Sequence, residues 1–148
     1  MRLGKSTLGW AAAGHTIAGV QTITPYLLYD DAAAALDFLS RAFGFEEKKR
    51  MTTPDGRIVH AEMRFGGGEI HLGQPERPGS PRSYGGSPVL LYVYVEDVDD
   101  HFARSRAAGA EIVDEPADQE YGERRYHCLD PEGHAWYFAQ PQPGGGGC

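Results

Sequence analysis

The stretch "TITPYLLYDDAAAALDFLSRAFGF", residues 22–45, decides the fold. Its opening, "TITPYLLYD", is apolar and β-branched, the composition of a strand. Asp31 then stands where a helix N-cap belongs, and the alanines behind it favour helix. Leu36, Phe38, Leu39, Ala42 and Phe43 put an apolar stripe on one helical face, and Gly44 is the expected stop. Downstream, "FEEKKRMTT" and "RIVHAEMRF" flank the turn "PDG" and read as a hairpin. "GGG" at 66–68 turns the chain again into "EIHLG". The order is βαβββ.

The same order then returns. Residues 74–88, "QPERPGSPRSYGGSP", are rich in Pro, Gly and Ser and form a linker. "VLLYVYVED" reads as a strand, and "DVDDHFARSRAAGA" as a helix with an acidic start closed by Gly109. "EIVDEPADQEYGERR" reads as an irregular strand or loop, "YHCLD" as a strand, "PEG" as a turn and "HAWYFAQ" as the last strand. Tyr26 and Tyr92, Asp31 and Asp97, and His71 and Tyr137 each lie 66 residues apart, and Gly44 and Gly109 lie 65 apart. A fixed offset through unlike sequence points to duplicated architecture. One such module leaves a sheet face uncovered, whereas two can share a concave surface. The expected fold is α+β: tandem βαβββ modules forming a curved mixed sheet around a cavity, with the helices outside. The expected boundaries are a flexible leader at 1–19, modules at 20–73 and 89–141 joined by the linker at 74–88, and a flexible tail at 142–148.

The 148 residues are 41% hydrophobic and 24% charged, as in an ordinary globular chain. No apolar run approaches membrane-spanning length, and the net charge of −7 argues against nucleic acid. Cys128 falls in a strand and reads as a small core residue; Cys148 ends the tail. Two such cysteines make no disulfide framework, which suits a reducing, cytoplasmic compartment. "TPDGR", "GGG" and "DPEG" lack the strand, Lys-Ser/Thr and helix of a phosphate loop, so they are turns.

"YLLYDDAAAALDFLSRAFGFE", "LYVYVEDVDDHFARSRAAGAEI" and "YHCLDPEGHAWYFAQP" together resemble the vicinal oxygen chelate superfamily. This is the group of glyoxalase I, extradiol dioxygenases and the fosfomycin and bleomycin resistance proteins. The resemblance spans about residues 20–141 and is strongest to the PhnB-like, glyoxalase-type branch. It implies a homodimer and a small-molecule ligand. In metal-dependent members it also implies a divalent ion held near the first strand and in the last strand of each module. Those positions fall on Thr24, His71, Leu90 and Tyr137. Only His71 is a good ligand; Leu90 has no donor, and Thr24 and Tyr137 are poor ones.

The expected function is therefore metal-independent binding of a small aromatic or planar hydrophobic molecule, as in antibiotic sequestration, with no cofactor and no catalytic residue. Strand alternation places Thr24, Tyr26, Glu69, His71, Leu90, Tyr92, Tyr94 and Tyr137 on one face. Tyr26, His71, Tyr92, Tyr94 and Tyr137 are the expected ligand contacts there. Tyr121, Arg124 and His127 join them from the segment that, in the resembling proteins, edges the cavity. Packing of the same rings into core is the plainer alternative. Trp136, of opposite parity, is expected beneath the second helix against Phe102, and His134 reads as a support of its turn. A second constellation, His60, Glu62, Glu69 and His71, lies on one hairpin face and offers an alternative divalent-metal site; cross-strand ion pairing is its plainer explanation. Two other functions fit the sequence: a metal-dependent lyase or dioxygenase of the glyoxalase type, and a non-catalytic regulatory or interaction module.

Overall fold

The computed structural model describes residues 19–143, so the "GGGGC" tail and all but the last residue of the expected leader lie outside the described residues. The first module runs β1 (Tyr26–Leu28), α1 (Ala32–Phe38), a π-helical turn (Leu39–Phe43), β2 (Glu46–Thr52), β3 (Ile58–Phe65) and β4 (Gly68–Gly73). The second runs β5 (Leu90–Tyr94), α2 (Val98–Ala107), β6 (Glu111–Asp118), β7 (Glu123–Leu129) and β8 (Ala135–Pro141). A short 3₁₀ helix, Pro81–Tyr84, punctuates the linker. The sheets have matching orders, β1-β4-β3-β2 and β5-β8-β7-β6, with β1 parallel to β4 and β5 parallel to β8. The fold is α+β, with two βαβββ modules, each a four-stranded mixed sheet.

Each sheet has one face under the helices and one open. Ala61, Met63, Ile70 and Leu72 are buried under α1, and Tyr126, Cys128, Trp136 and Phe138 on the equivalent face of the second sheet. These side chains join one core that runs through both modules. Phe43 is its hinge: its ring lies 5.1 Å from Trp136 and 4.8 Å from Phe138. Burying such a ring contributes about 1.5–3 kcal/mol.

The junction also has a polar logic. Gly44 ends the first helical run at φ 87°, in the left-handed region where a Cβ would be strained. The Ser40 carbonyl accepts from the Gly44 amide at 3.2 Å, and the last carbonyls beyond it have no partner within the helix. α2 supplies them: Arg104 donates to the carbonyls of Ser40 and Arg41, Ser105 to that of Ala42, and His101 Nε2 to that of Phe43 at 2.9 Å. The Arg104 cation also suits the negative end of the helix dipole.

Several expectations need correction. β1 is only three residues long: Pro25 precedes it, and past Leu28 the Tyr29 amide still bonds the Gly73 carbonyl while its phenol turns to Asp130. The helix widens into a π turn instead of running regularly to Phe43. The segment 111–118, by contrast, is an irregular edge strand, one of the two forms expected of it; Pro116 is tolerated there because an edge residue need not donate to a neighbour, and the register slips beside it. β7 begins at Glu123, three residues before the expected strand. Trp136 packs on Phe43 and Phe45 of the first module, while Phe102 packs on Tyr126.

Candidate functional site

The open face of the second sheet carries an aromatic row. Tyr92, Tyr137 and His127 are successive Cα partners on β5, β8 and β7, so alternation aims all of them at the same side. Their rings follow suit. Tyr92 and Tyr137 are parallel within 7° at 5.8 Å, and His127 lies 14° from parallel to Tyr137 at 4.2 Å. The Arg125 guanidinium sits 4.6 Å from the Tyr137 centroid. Stacked pairs of this kind contribute about 0.5–1.5 kcal/mol beyond burial, and a cation over a ring a similar amount.

The row has a polar rim. Glu123, on β7, accepts hydrogen bonds from Tyr92 Oη at 2.5 Å and Tyr94 Oη at 2.6 Å. Tyr121 reaches Tyr92 Oη at 3.2 Å. Burial, and then the bond to Glu123, pushes the Tyr92 phenol well above its ordinary pKa; the Glu123 bond does the same for Tyr94. Both phenols therefore stay protonated across the physiological range. Arg125 makes no ion pair with a carboxylate among the described residues. The Nε2 of His127 is buried without a hydrogen-bond partner among the described residues. Arg125, His127 and Tyr137 line a cleft of about 350 Å³ together with Asp114 and Gln119. Tyr92 and Tyr94 line another, of about 360 Å³, with Glu69 and Phe65 across the seam between modules.

The open face of the first sheet carries a different chemistry. Tyr26, His71 and Glu62 are successive Cα partners on β1, β4 and β3, the same positions as the aromatic row. His60 Nε2 lies 2.9 Å from Glu62 Oε2, His71 Nε2 lies 2.7 Å from Glu69 Oε2, and Tyr26 Oη lies 3.0 Å from His60 Nδ1. Lys48 reaches Glu69 at 3.2 Å and Glu62 at 3.8 Å. The bonds to His60 and His71 hold the Glu62 and Glu69 carboxyls below their ordinary pKa values.

The structure thus divides the expected ligand contacts. Tyr92, Tyr94, Tyr121, His127 and Tyr137 come together in one network, and Tyr26 and His71 in another. Arg124 belongs to neither and needs correction. It lies on the helix side of β7, where it pairs with Asp99 and Asp118 at 3.1 Å each. Arg125 takes the place expected of it. With β7 starting at Glu123, adjacent residues face opposite ways; Glu123, Arg125 and His127 share the open face. That period was the available signal for Arg125 and Glu123, hidden by reading the charged run as loop.

The divalent ion that the resemblance implies does not fit the four positions it would use. Leu90 offers no donor. Thr24 lies ahead of β1, where its hydroxyl engages Gln21, and Tyr137 is packed against His127 under Arg125. Among the described residues no helix is long and apolar enough to cross a membrane. Cys128 is buried in the core, and burial followed by the nearby Asp130 charge pushes its thiol up to about 12, so it is no nucleophile.

The model of the Glyoxalase/Bleomycin resistance protein/Dioxygenase superfamily matches residues 15–138. An uncharacterized protein of Mycobacterium tuberculosis (strain ATCC 25618 / H37Rv) is 40% identical over 125 residues, covering 80% of this chain and 74% of that one. Among solved structures, TioX from Micromonospora sp. ML1 is 37% identical with a TM-score of 0.65, over 81% of this chain and 95% of TioX. A PhnB protein from Bacillus cereus, described as a putative 3-demethylubiquinone-9 3-methyltransferase, shares the fold at 17% identity and a TM-score of 0.60, over 81% of this chain and 99% of that one. The chain belongs to the Glyoxalase/Bleomycin resistance protein/Dioxygenase superfamily.

Proposed function

We propose that the protein binds a small planar aromatic molecule on the row Tyr92–Tyr137–His127, with no metal ion at the contact. The observation that carries this reading is the row itself: three parallel or near-parallel stacked rings beside an Arg125 that has no carboxylate partner among the described residues. A flat π system extends such a row, and the guanidinium suits an anionic or electron-rich edge. Antibiotic sequestration is the function of this kind that the family membership favours. A PhnB-like place within the family and a cytoplasmic location complete the proposal.

The protein acts as a homodimer in this reading. Tyr26 is 49% exposed, Leu90 47% and Tyr94 55%, which leaves both open faces with apolar surface that a second copy covers. A lyase or dioxygenase of the glyoxalase type is disfavoured, because Leu90 and Tyr137 stand where such an enzyme needs ligands.

The test is a melting-temperature screen against planar aromatic compounds, including bleomycin-type antibiotics, in EDTA. Binding raises the melting temperature as ligand exceeds its dissociation constant. The hit is then titrated calorimetrically against Tyr137→Ala, which is expected to weaken it at least about tenfold, the equivalent of about 1.4 kcal/mol. No stabilising compound, or equal affinity for Tyr137→Ala, defeats the proposal.

A further inference from the structure

We infer that His60, Glu62 and His71 form a binding site for a divalent first-row transition-metal ion, best matched by zinc, on the open face of the first module. The site goes beyond the aromatic row and uses none of its residues.

One donor atom from each of these side chains falls within 4.8 Å of the others. Glu62 is the centre: its Oε2 lies 2.9 Å from His60 Nε2 and 3.8 Å from His71 Nε2. Ligand atoms around tetrahedral zinc stand about 3.3 Å apart, given bonds of about 2.0–2.1 Å. The two Glu62 distances bracket that value, and drawing the imidazoles together by about 1.5 Å needs only small side-chain torsions. The side chains are 24%, 14% and 23% exposed, so the site is walled yet open to solution.

The backbone supports the convergence. Glu62 and His71 are directly paired across β3 and β4, and His60 shares the Glu62 face two residues away. A tight two-strand ladder holds the donors in register without help from a loop. The surroundings have the form of an outer shell. Tyr26 Oη, 3.0 Å from His60 Nδ1, accepts the Nδ1 proton when Nε2 binds the ion, which fixes the tautomer and the ring. Glu69 holds Lys48 at 3.2 Å and His71 Nε2 at 2.7 Å, and the ion takes the place of the second bond. Lys48 is 39% exposed on a flexible stem, so its ammonium leaves for water when a dication replaces it.

Two imidazoles and one carboxylate are a borderline-soft set that selects zinc, cobalt or nickel over calcium and magnesium, which prefer all-oxygen ligands. Three protein ligands leave a coordination position for water or a small oxygen donor. All three come from neighbouring strands of one module. The positions implied by the family resemblance are spread over both modules and coincide with this set only at His71.

The experiment is a calorimetric titration of the metal-free full chain with Zn²⁺, paired with Co²⁺ titration read by visible absorption. One Zn²⁺ per chain is expected, with Co²⁺ giving d–d bands of low coordination number. His60→Ala, His71→Ala and Glu62→Gln are each expected to weaken Zn²⁺ at least about tenfold and abolish the Co²⁺ bands. Glu47→Gln, on the adjoining β2, is expected to bind as the parent does. Circular dichroism verifies the fold of each variant, and Glu62→Gln, which keeps the side-chain shape, serves if an alanine variant fails to fold. No saturable Zn²⁺ binding, or binding indifferent to His60→Ala and Glu62→Gln, overturns the inference. The aromatic-ligand titration is run in EDTA, so failure of one proposal leaves the other standing.

Discussion

Asp130 opens the "DPEGH" turn, and removing its carboxylate should cost the protein more than any turn residue ordinarily does. It is 1% exposed. Four donors converge on it: Tyr29 Oη at 2.6 Å and Trp136 Nε1 at 3.1 Å on Oδ2, and the backbone amides of Glu132 at 3.1 Å and His134 at 3.0 Å on Oδ1. Tyr29 belongs to the first module, so the carboxylate ties the modules together. Burial, and then the Asp130 charge, pushes the Tyr29 phenol well above its ordinary pKa, which keeps it a donor.

Hydrogen bonds to a charged group are worth about 1.5–3 kcal/mol each, and a buried donor left unpaired costs about 1–3 kcal/mol. The contributions are not additive. Asp130→Ala strands Tyr29 Oη and Trp136 Nε1 in the core, and a loss of about 3–5 kcal/mol is expected. Asp130→Asn keeps the shape but turns one oxygen into a donor facing donors, for about 2–3 kcal/mol. Tyr29→Phe removes one bond and costs about 1.5–3 kcal/mol. The assay is urea unfolding followed by tryptophan fluorescence, with stability taken from midpoint and slope. In a double-mutant cycle, Tyr29→Phe should cost at least about 1 kcal/mol less once Asp130 is alanine. A loss below about 1 kcal/mol for Asp130→Ala, or full additivity in the cycle, would refute the inter-module tie.

Other outcomes follow from single contacts. Burial holds the His101 pKa below its ordinary value, so the folded chain resists a proton that the unfolded chain accepts below about pH 6.5. Stability should therefore fall as pH drops below about 6.5, by at most about 1.4 kcal/mol per unit, and this contribution should stay flat above that point. Urea midpoints across this range check it, and His101→Gln should flatten the slope even though it lowers the plateau. A Cβ on Gly73 would lie 2.5 Å from the Val59 carbonyl oxygen and 2.9 Å from Tyr26 Oη. Gly73→Ala should then cost about 2 kcal/mol or more, since backbone must move, and thermal melting reads the loss. Once a ligand of the aromatic row is in hand, Arg125→Ala should weaken it and Arg124→Ala should not; the reverse result would place the ligand on the wrong face of β7.

What the sequence made legible was periodicity. Alternation in "RIVHAEMRF" and "HAWYFAQ" assigned Ala61, Met63, Trp136 and Phe138 to one side and His60, Glu62 and Tyr137 to the other, because strand geometry leaves no third choice. Asp31 could be read as a cap because its oxygen accepts from Ala34 within the same short segment. What alternation cannot give is the partner of a buried group. It put Trp136 inside, but the choice of Phe43 and Phe45 over Phe102 depends on how two modules dock. Asp130 was hidden for the same reason: Tyr29 lies 101 residues away, and nothing local marks a turn aspartate as a long-range acceptor.

The two open faces show what duplication can do with one register. Tyr26–His71–Glu62 and Tyr92–Tyr137–His127 occupy matching places, each running from a parallel pair into an antiparallel one. A metal shared between modules requires strong donors in both rows. In the second row Tyr137 stands at the offset of His71, the one imidazole, His127, is stacked on that ring, and Leu90 supplies no donor from β5. Two imidazoles and a carboxylate converge instead on the first face, at His60, Glu62 and His71. Under the two proposals made above, each sheet takes its own ligand class. Stacking is favoured where Arg125 and Tyr137 pair, and cation binding where Glu62 stands between two imidazoles. The two faces can therefore be tested and mutated independently, because no side chain proposed for one is used by the other.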